Sequence, residues 1–183
     1  TDGPAALRRL NGSFVGACWD ARGQTVTLVN DRFGMRPLYY TVHGGRFIFA
    51  SSLVALLADP GISRQTDKLG LAQFLTYGQY LEETTLLEAI KVLPAGSTAT
   101  FAKDGSLSVE RYASVVDGAP GEMASDDDWL EAIRSSCVRA VRSRAEKGGR
   151  LGVALSGGLD ARTILGLINQ NVSPRIVLSL IHI

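Results

Sequence analysis

The run RLGVALSGGLDARTILGLINQ, Arg150 to Gln170, constrains this chain more than any other stretch. An apolar, strand-like segment breaks at Ser-Gly-Gly and returns almost at once to an apolar, helix-like pattern. That order predicts a strand over Leu151–Leu155, a glycine turn, a helix over about Ala161–Asn169 and a second strand at Arg175-Ile176-Val177. Together these open a parallel α/β domain. The turn has the makings of an anion cradle. Two glycines bring the main chain close to a ligand, their N–H groups point into the bend, and the helix start adds partial positive charge. A Walker loop is excluded, because Leu159, Asp160, Ala161 and Arg162 follow the glycines where a lysine is required. The dinucleotide fingerprint fails as well, since Gly157 and Gly158 are adjacent. Ser156 can donate a hydroxyl hydrogen bond, and Asp160 suits a phosphate only through a hydrated Mg²⁺. The competing reading is a plain strand-to-helix turn with Asp160 as its N-cap.

The first hundred residues follow a different rhythm. SFVGACW and TVTLVN flank the turn DARG, and PLYYTV and RFIFAS flank HGG, so two hairpins are predicted. A short helix in SLVALLA should stop at Asp59-Pro60, and a longer one should run from Thr66 or Asp67 to Gly78. Thr85 and Glu88 stand at capping-box spacing in TLLEAIKVL, which predicts a helix ending before Pro94. STATFAKDGSLSVERY reads as a further hairpin turning at Asp104-Gly105. Residues 116–127 shift to Asp, Gly, Pro, Ala and Ser and read as a linker. Beyond them, Ser125 and Asp128 cap a helix that carries acids at its start and Arg142, Arg144 and Lys147 toward its end, with Gly148 as the stop. Leu130, Ile133, Cys137 and Val141 share one stripe of that helix, and Arg134, Arg139, Arg142 and Arg144 form a solvated face.

Composition narrows the partners. A net charge of +1 over 183 residues gives no support to a nucleic-acid or membrane-surface partner. No apolar run approaches bilayer length, and TDGPAALRRL lacks the pattern of a secretory signal. Cys18 and Cys137 are far apart and outside any metal-ligand spacing, which points to a reducing cytoplasm. Cys18 is expected as a packed core thiol, and His43 as a turn residue. There is no initiator Met and the chain stops just after a strand would begin, so both ends are read as cut. The final LSLIHI can be encoded by CTGTCTCTTATACACATC, which resembles the end of transposon-based sequencing adaptors. Residues 178–183 are therefore set aside as an adaptor scar, the competing reading being a buried strand that continues RIV.

The SGGLD turn resembles the pyrophosphate loop, SGGxDS, of the PP-loop ATPases, which cleave ATP between the α- and β-phosphates. The resemblance implies that Ser156, Gly157, Gly158 and Asp160 hold pyrophosphate and its Mg²⁺, with Leu155 beside the nucleotide. Ala161 replaces the motif's final Ser and removes one hydroxyl donor. Upstream, LNGSFVGACWD, NDRFGMRPLYY and FIFASSLVALL follow the order of class II glutamine amidotransferase domains. Asn30 stands where that pattern has Arg, and Ser52 where it has Glu. KVLPAGSTATF and ERY resemble the LPPG and RYW segments that close this domain in asparagine synthetases. Over about Leu10 to Ile176 the chain is similar to the asparagine synthetase family.

That resemblance implies a fold class of α+β followed by α/β. Residues 1–115 would be the C-terminal part of an Ntn-hydrolase-type glutaminase sandwich, and 116–127 a linker. Residues 128–177 would hold the first βαβ of a Rossmann-like PP-loop domain. The implied activity uses glutamine, aspartate and ATP with Mg²⁺: ammonia from glutamine attacks a side-chain carboxylate activated as an acyl-AMP. A homodimer is compatible with it. The family's N-terminal Cys, its glutamine-binding Arg and Asp and its oxyanion Asn-Gly would lie upstream of Thr1, so no catalytic glutaminase residue is expected here. Thr1 as a nucleophile and Asn11-Gly12 as an oxyanion pair are both disfavoured. Lactam-forming relatives, a degenerate non-catalytic homologue and, least favoured, an RNA-modifying PP-loop enzyme are the alternatives.

Overall fold

A computed structural model describes residues 4–114, 116, 125–146, 150–171 and 175–180. The chain divides into two compact units, residues 1–118 and 119–183.

The first unit opens with a one-turn helix α1 (Pro4–Leu7) and the hairpin β1 (Val15–Asp20) and β2 (Thr25–Asn30). The hairpin β3 (Tyr39–His43) and β4 (Arg46–Ala50) follows, then α2 (Leu53–Leu56) and α3 (Lys68–Tyr77). Strands β5 (Lys91–Val92), β6 (Ser97–Ala102) and β7 (Leu107–Arg111) complete it. Two sheets result, ordered β1-β2-β6-β7 and β4-β3-β5, with every pairing antiparallel. Leu28 and Ala99 of the first sheet meet Tyr40 of the second, with Leu38 and Leu93, in one core cluster. Phe47 stacks on Phe101 with ring centroids 5.0 Å apart. A second cluster joins Leu56 of α2 with Ile62, Leu87 and Ile90. This mixed α/β unit of antiparallel sheets is compatible with a glutamine amidotransferase domain.

The predicted hairpins form because their turns supply the right backbone. Gly44, Gly45 and Gly105 all adopt positive φ, which costs a residue without Cβ nothing. Asp67 caps α3 by accepting from the N–H groups of Leu69 and Gly70, and Gly78 ends it in the left-handed conformation. A Cβ on Gly70 would stand 2.1 Å from the Thr85 carbonyl oxygen, so only glycine lets α3 lie this close to residues 84–85.

Two expectations fail in this unit. The predicted helix in residues 85–93 is a turn followed by β5. The Thr85 hydroxyl, expected as a helix cap, instead donates to the carbonyls of Leu87 or Ile90, 3.0 and 2.7 Å away, and accepts from Leu87 N–H. Glu88 N–H bonds Gln65 O, and Thr66 bridges Leu87, so long-range pairing takes the donors a helix would have used. Cys18 is exposed rather than packed, because β1 is an edge strand whose last four residues are all exposed.

The second unit comprises α4 (Asp126–Ala145), β8 (Arg150–Leu155), α5 (Leu159–Asn171) and β9 (Arg175–Leu180). Ser125 caps α4 by accepting from Asp128 N–H, so this helix begins inside the segment read as linker. It ends at Ala145 with Glu146 as C-cap, while Lys147 and Gly148 lie outside the described residues. Strands β8 and β9 pair in parallel from Arg150↔Arg175 to Leu155↔Leu180, and α5 provides the crossover. Leu178, Ser179 and Leu180, set aside as a scar, extend β9 in register with Val153, Ala154 and Leu155. The core joins Ala145, Val153 and Ile168, with Val141, Leu151 and Ile176 packed against it. Of the predicted stripe on α4, only Val141 reaches this core. Leu130 and Ile133 are 64% and 56% exposed, and Cys137 is exposed too.

Candidate functional site

Strand β8 ends at Leu155 and α5 begins at Leu159, leaving Ser156, Gly157 and Gly158 as the whole connection. The helix starts two residues before the predicted Ala161. Asp160 therefore sits in its first turn and is not the N-cap. Neither loop glycine has positive φ, so the turn's handedness does not require them. Space does the selecting. A Cβ on Gly157 would meet nothing within 4 Å, and one on Gly158 would stand 3.2 Å from Ser156 Oγ. Without a side chain, the ground above Gly157 is clear for a ligand to reach the main chain.

The polar groups of the loop are largely unspent. Ser156 Oγ accepts from Gly158 N–H at 3.3 Å. Asp160 is exposed and makes no hydrogen bond or ion pair among the described residues. Arg162, one turn along α5, reaches back so that Nε lies 3.4 Å from the Gly158 carbonyl oxygen. A cavity of about 770 Å³ opens between α4, β8 and α5; its lining is mostly apolar, with Val141, Leu151, Ile164 and Ile168, and also takes in Ser156, Asp160 and Thr163. Main-chain donors at a helix start, a hydroxyl and a free carboxylate form a donor set that fits a polyphosphate with a hydrated divalent cation. Leu155, half-buried, stands at the strand end beside this group.

The first unit also concentrates polar residues, to an opposite end. Asn30 and Asp31 are each 1% exposed. The Asp31 carboxylate accepts from the N–H groups of Phe14 (3.2 Å), Phe33 (3.0 Å) and Met35 (3.3 Å). Asn30 Nδ2 lies within reach of the carbonyls of Leu93 and Pro94, at 3.0 and 2.9 Å, while Oδ1 accepts from Ser97 N–H at 3.0 Å. Tyr112 Oη donates to Asn30 O at 2.6 Å, and Gly96 N–H donates to Asp31 O at 3.0 Å. Burial, and secondarily the Asp31 carboxylate, hold the Tyr112 phenol above its ordinary pKa. Gly96 has φ +63°, and a Cβ there would stand 2.2 Å from Ala113 O. The NDRFG, LPAG and ERY segments, far apart in sequence, thus close on one buried clasp. Its polar groups are satisfied internally, so it is scaffold.

The remaining sequence candidates are each described within their own unit. His43 ends β3 beside the Gly44–Gly45 turn. Asn11 and Gly12 are exposed before β1, and Thr1 lies outside the described residues. Ser52 stands at the N-cap of α2 without a side-chain cap bond. Arg134, Arg139, Arg142 and Arg144 are exposed on α4, with Arg134 paired to Glu131 and Arg142 to Glu146. Among the described residues no helix is long and apolar enough to cross a membrane. Sequence reasoning missed the reach of Arg162. The available signal was a long side chain at the fourth helical position, since side chains on a helix lean toward its N-terminus.

Comparison with known proteins adds a family. Residues 1–113 match the model of the glutamine amidotransferase domain. The chain is 33% identical over 159 residues to glutamine-hydrolyzing asparagine synthetase 3 of Bacillus subtilis, covering 86% of this chain and 25% of that protein. It is 25% identical over 166 residues to asparagine synthetase 1 of the same organism, covering 90% of this chain and 26% of the relative. An amidase of Gibberella zeae, chry2, is 25% identical over 170 residues, covering 92% and 25%. The chain therefore spans about a quarter of the length of these relatives. With the model match over more than half its residues, this chain belongs to the glutamine amidotransferase domain family.

Proposed function

We propose that this chain is part of an ATP-dependent, glutamine-hydrolysing ligase of the asparagine synthetase type, working in the cytoplasm. One observation carries the reading. A glutamine amidotransferase domain is followed in the same chain by a parallel β8–SGGLD–α5–β9 crossover whose exposed Asp160 carboxylate has no partner among the described residues.

In this reading ATP supplies an AMP leaving group that makes a poor electrophile, a carboxylate, reactive toward ammonia, and releases pyrophosphate. The chain's own part is to hold that pyrophosphate. The N–H of Gly157 would face it with no side chain in the way, and Ser156 would add a hydroxyl. Gly158 N–H, held by Ser156 Oγ in the free loop, would exchange that bond for a phosphate oxygen. Asp160 would hold Mg²⁺ through water, and Leu155 would lie beside the nucleotide. Such donors act where charge builds on the leaving group, in a setting organised before the reaction. Aspartate is the proposed acceptor. The amidase among the relatives favours one alternative, amide chemistry on a different carboxylate, as in lactam-forming enzymes.

The test uses the full-length protein that carries this sequence, assayed for acceptor-dependent exchange of labelled pyrophosphate into ATP. Asp160→Asn should lower exchange by a hundredfold or more, corresponding to about 2.7–4 kcal/mol of lost transition-state stabilisation. Its thermal unfolding should stay near that of the parent. Exchange equal to the parent's would leave Asp160 a residue of the helix start and nothing more.

A further inference from the structure

Resting on the proposed pyrophosphate loop, we infer that Arg162 is a further binding residue of that loop. It would supply by charge the contact that Ala161 cannot make. Ala161 occupies the position where the resembling motif carries a hydroxyl, so this loop is one side-chain donor short. The next residue is a cation, placed where helix electrostatics disfavour one, because the first turn of a helix carries partial positive charge. Arg162 nevertheless makes no ion pair among the described residues, and it is exposed. Side chains on a helix lean toward its N-terminus, and this one does so far enough to bring Nε within 3.4 Å of Gly158 O.

That contact uses one N–H of the guanidinium. The terminal nitrogens keep their donors without a bond among the described residues, on a side chain that contacts the exposed Gly157–Gly158 segment. A planar fork of N–H donors binds two oxygens of one phosphate at once, which a hydroxyl cannot do. An anion in the loop would also remove the electrostatic objection to a cation at this end of α5. Asp160 and Arg162 then divide the work: the carboxylate takes the hydrated metal and the guanidinium takes phosphate oxygens directly.

The experiment is calorimetric titration of magnesium pyrophosphate into the full-length protein, alongside pyrophosphate exchange into ATP. Thermal melts would show that each variant is folded. Arg162→Met should weaken pyrophosphate binding at least tenfold, and Arg162→Lys should recover only part of the loss because it lacks the fork. Ala161→Ser combined with Arg162→Met should bind more tightly than Arg162→Met alone. If the parent binds pyrophosphate and Arg162→Met binds it equally well, the role of Arg162 is overturned while the loop reading stands. If the parent neither binds pyrophosphate nor exchanges it, the loop reading fails and the inference fails with it.

Discussion

The clasp at Asn30–Asp31 and the loop at Ser156–Asp160 are both short polar segments at the end of a strand, and they spend their polar groups in opposite ways. In the clasp, a buried carboxylate accepts three main-chain N–H bonds and a buried amide binds on both its nitrogen and its oxygen. In the loop, the carboxylate is exposed with no partner among the described residues, and a Cβ on Gly157 would meet nothing within 4 Å. A buried polar group costs stability unless it is bonded, so the clasp is what holds three distant segments together. Exposed polar groups at a helix start cost the fold little, because water can satisfy them. Both segments match motifs of the resembled family, and their hydrogen bonding sets them apart.

The largest effect should come from Gly96→Ala. Its Cβ would meet Ala113 O at 2.2 Å with φ fixed near +63°, so the loss should exceed the roughly 1–3 kcal/mol of left-handed strain alone. Chemical denaturation of the first unit measures it, and an unchanged midpoint would break the clasp. Next, Asp31→Ala leaves three N–H groups without their acceptor and should cost about 3 kcal/mol, allowing for partial rescue by water. Asn30→Arg restores the residue of the resembled pattern. It should nevertheless destabilise by about 1–3 kcal/mol, because it removes the amide that Ser97 N–H needs and crowds a buried site. A stabilised Asn30→Arg protein would show that the clasp tolerates the family residue.

The smallest effect concerns Tyr40, whose phenol lies 3.4 Å from Glu83 Oε2. Burial first, then the nearby Glu83 charge and hydrogen bond, push its pKa from the ordinary 10.0 up to about 12. The raised pKa means the fold favours the protonated phenol. Its contribution is therefore full below pH 10 and lost as pH rises from about 10 through about 12. Stability titrated across that window should fall less steeply in Tyr40→Phe than in the parent. At neutral pH the substitution should cost about 1 kcal/mol or less.

Much of this was legible in the sequence, for local reasons. Gly44-Gly45 and Asp104-Gly105 name their turns, and Asp67, Gly78 and Ser125 name their helix ends, because each acts on neighbours within a few residues. Thr85 and Glu88 show the spacing of a capping box but form none. Their donors and acceptors go to Leu87, Ile90 and Gln65, and the last lies outside any local window. The exposure of Cys18 depends on β1 being an edge strand, which its own residues do not encode. Trp19 on the same strand is 60% exposed for the same reason. At the loop, the order strand, Ser-Gly-Gly turn and helix was legible in SGGLD. That α5 begins at Leu159, two residues before the expected start, so that Asp160 lies in its first turn, was not legible.

The account turns on the claim that Asp31 serves the fold and Asp160 serves a ligand. The most direct measurement makes the same isosteric change at both, Asp31→Asn and Asp160→Asn in the full-length protein, and records thermal unfolding and pyrophosphate binding for each. Asp31→Asn should lower the melting temperature of the first unit and leave pyrophosphate binding intact. Asp160→Asn should leave melting near that of the parent and weaken magnesium pyrophosphate binding at least tenfold. If Asp160→Asn instead lowers the melt as much as Asp31→Asn and binds pyrophosphate as the parent does, the two segments do not differ in kind, and the account is wrong.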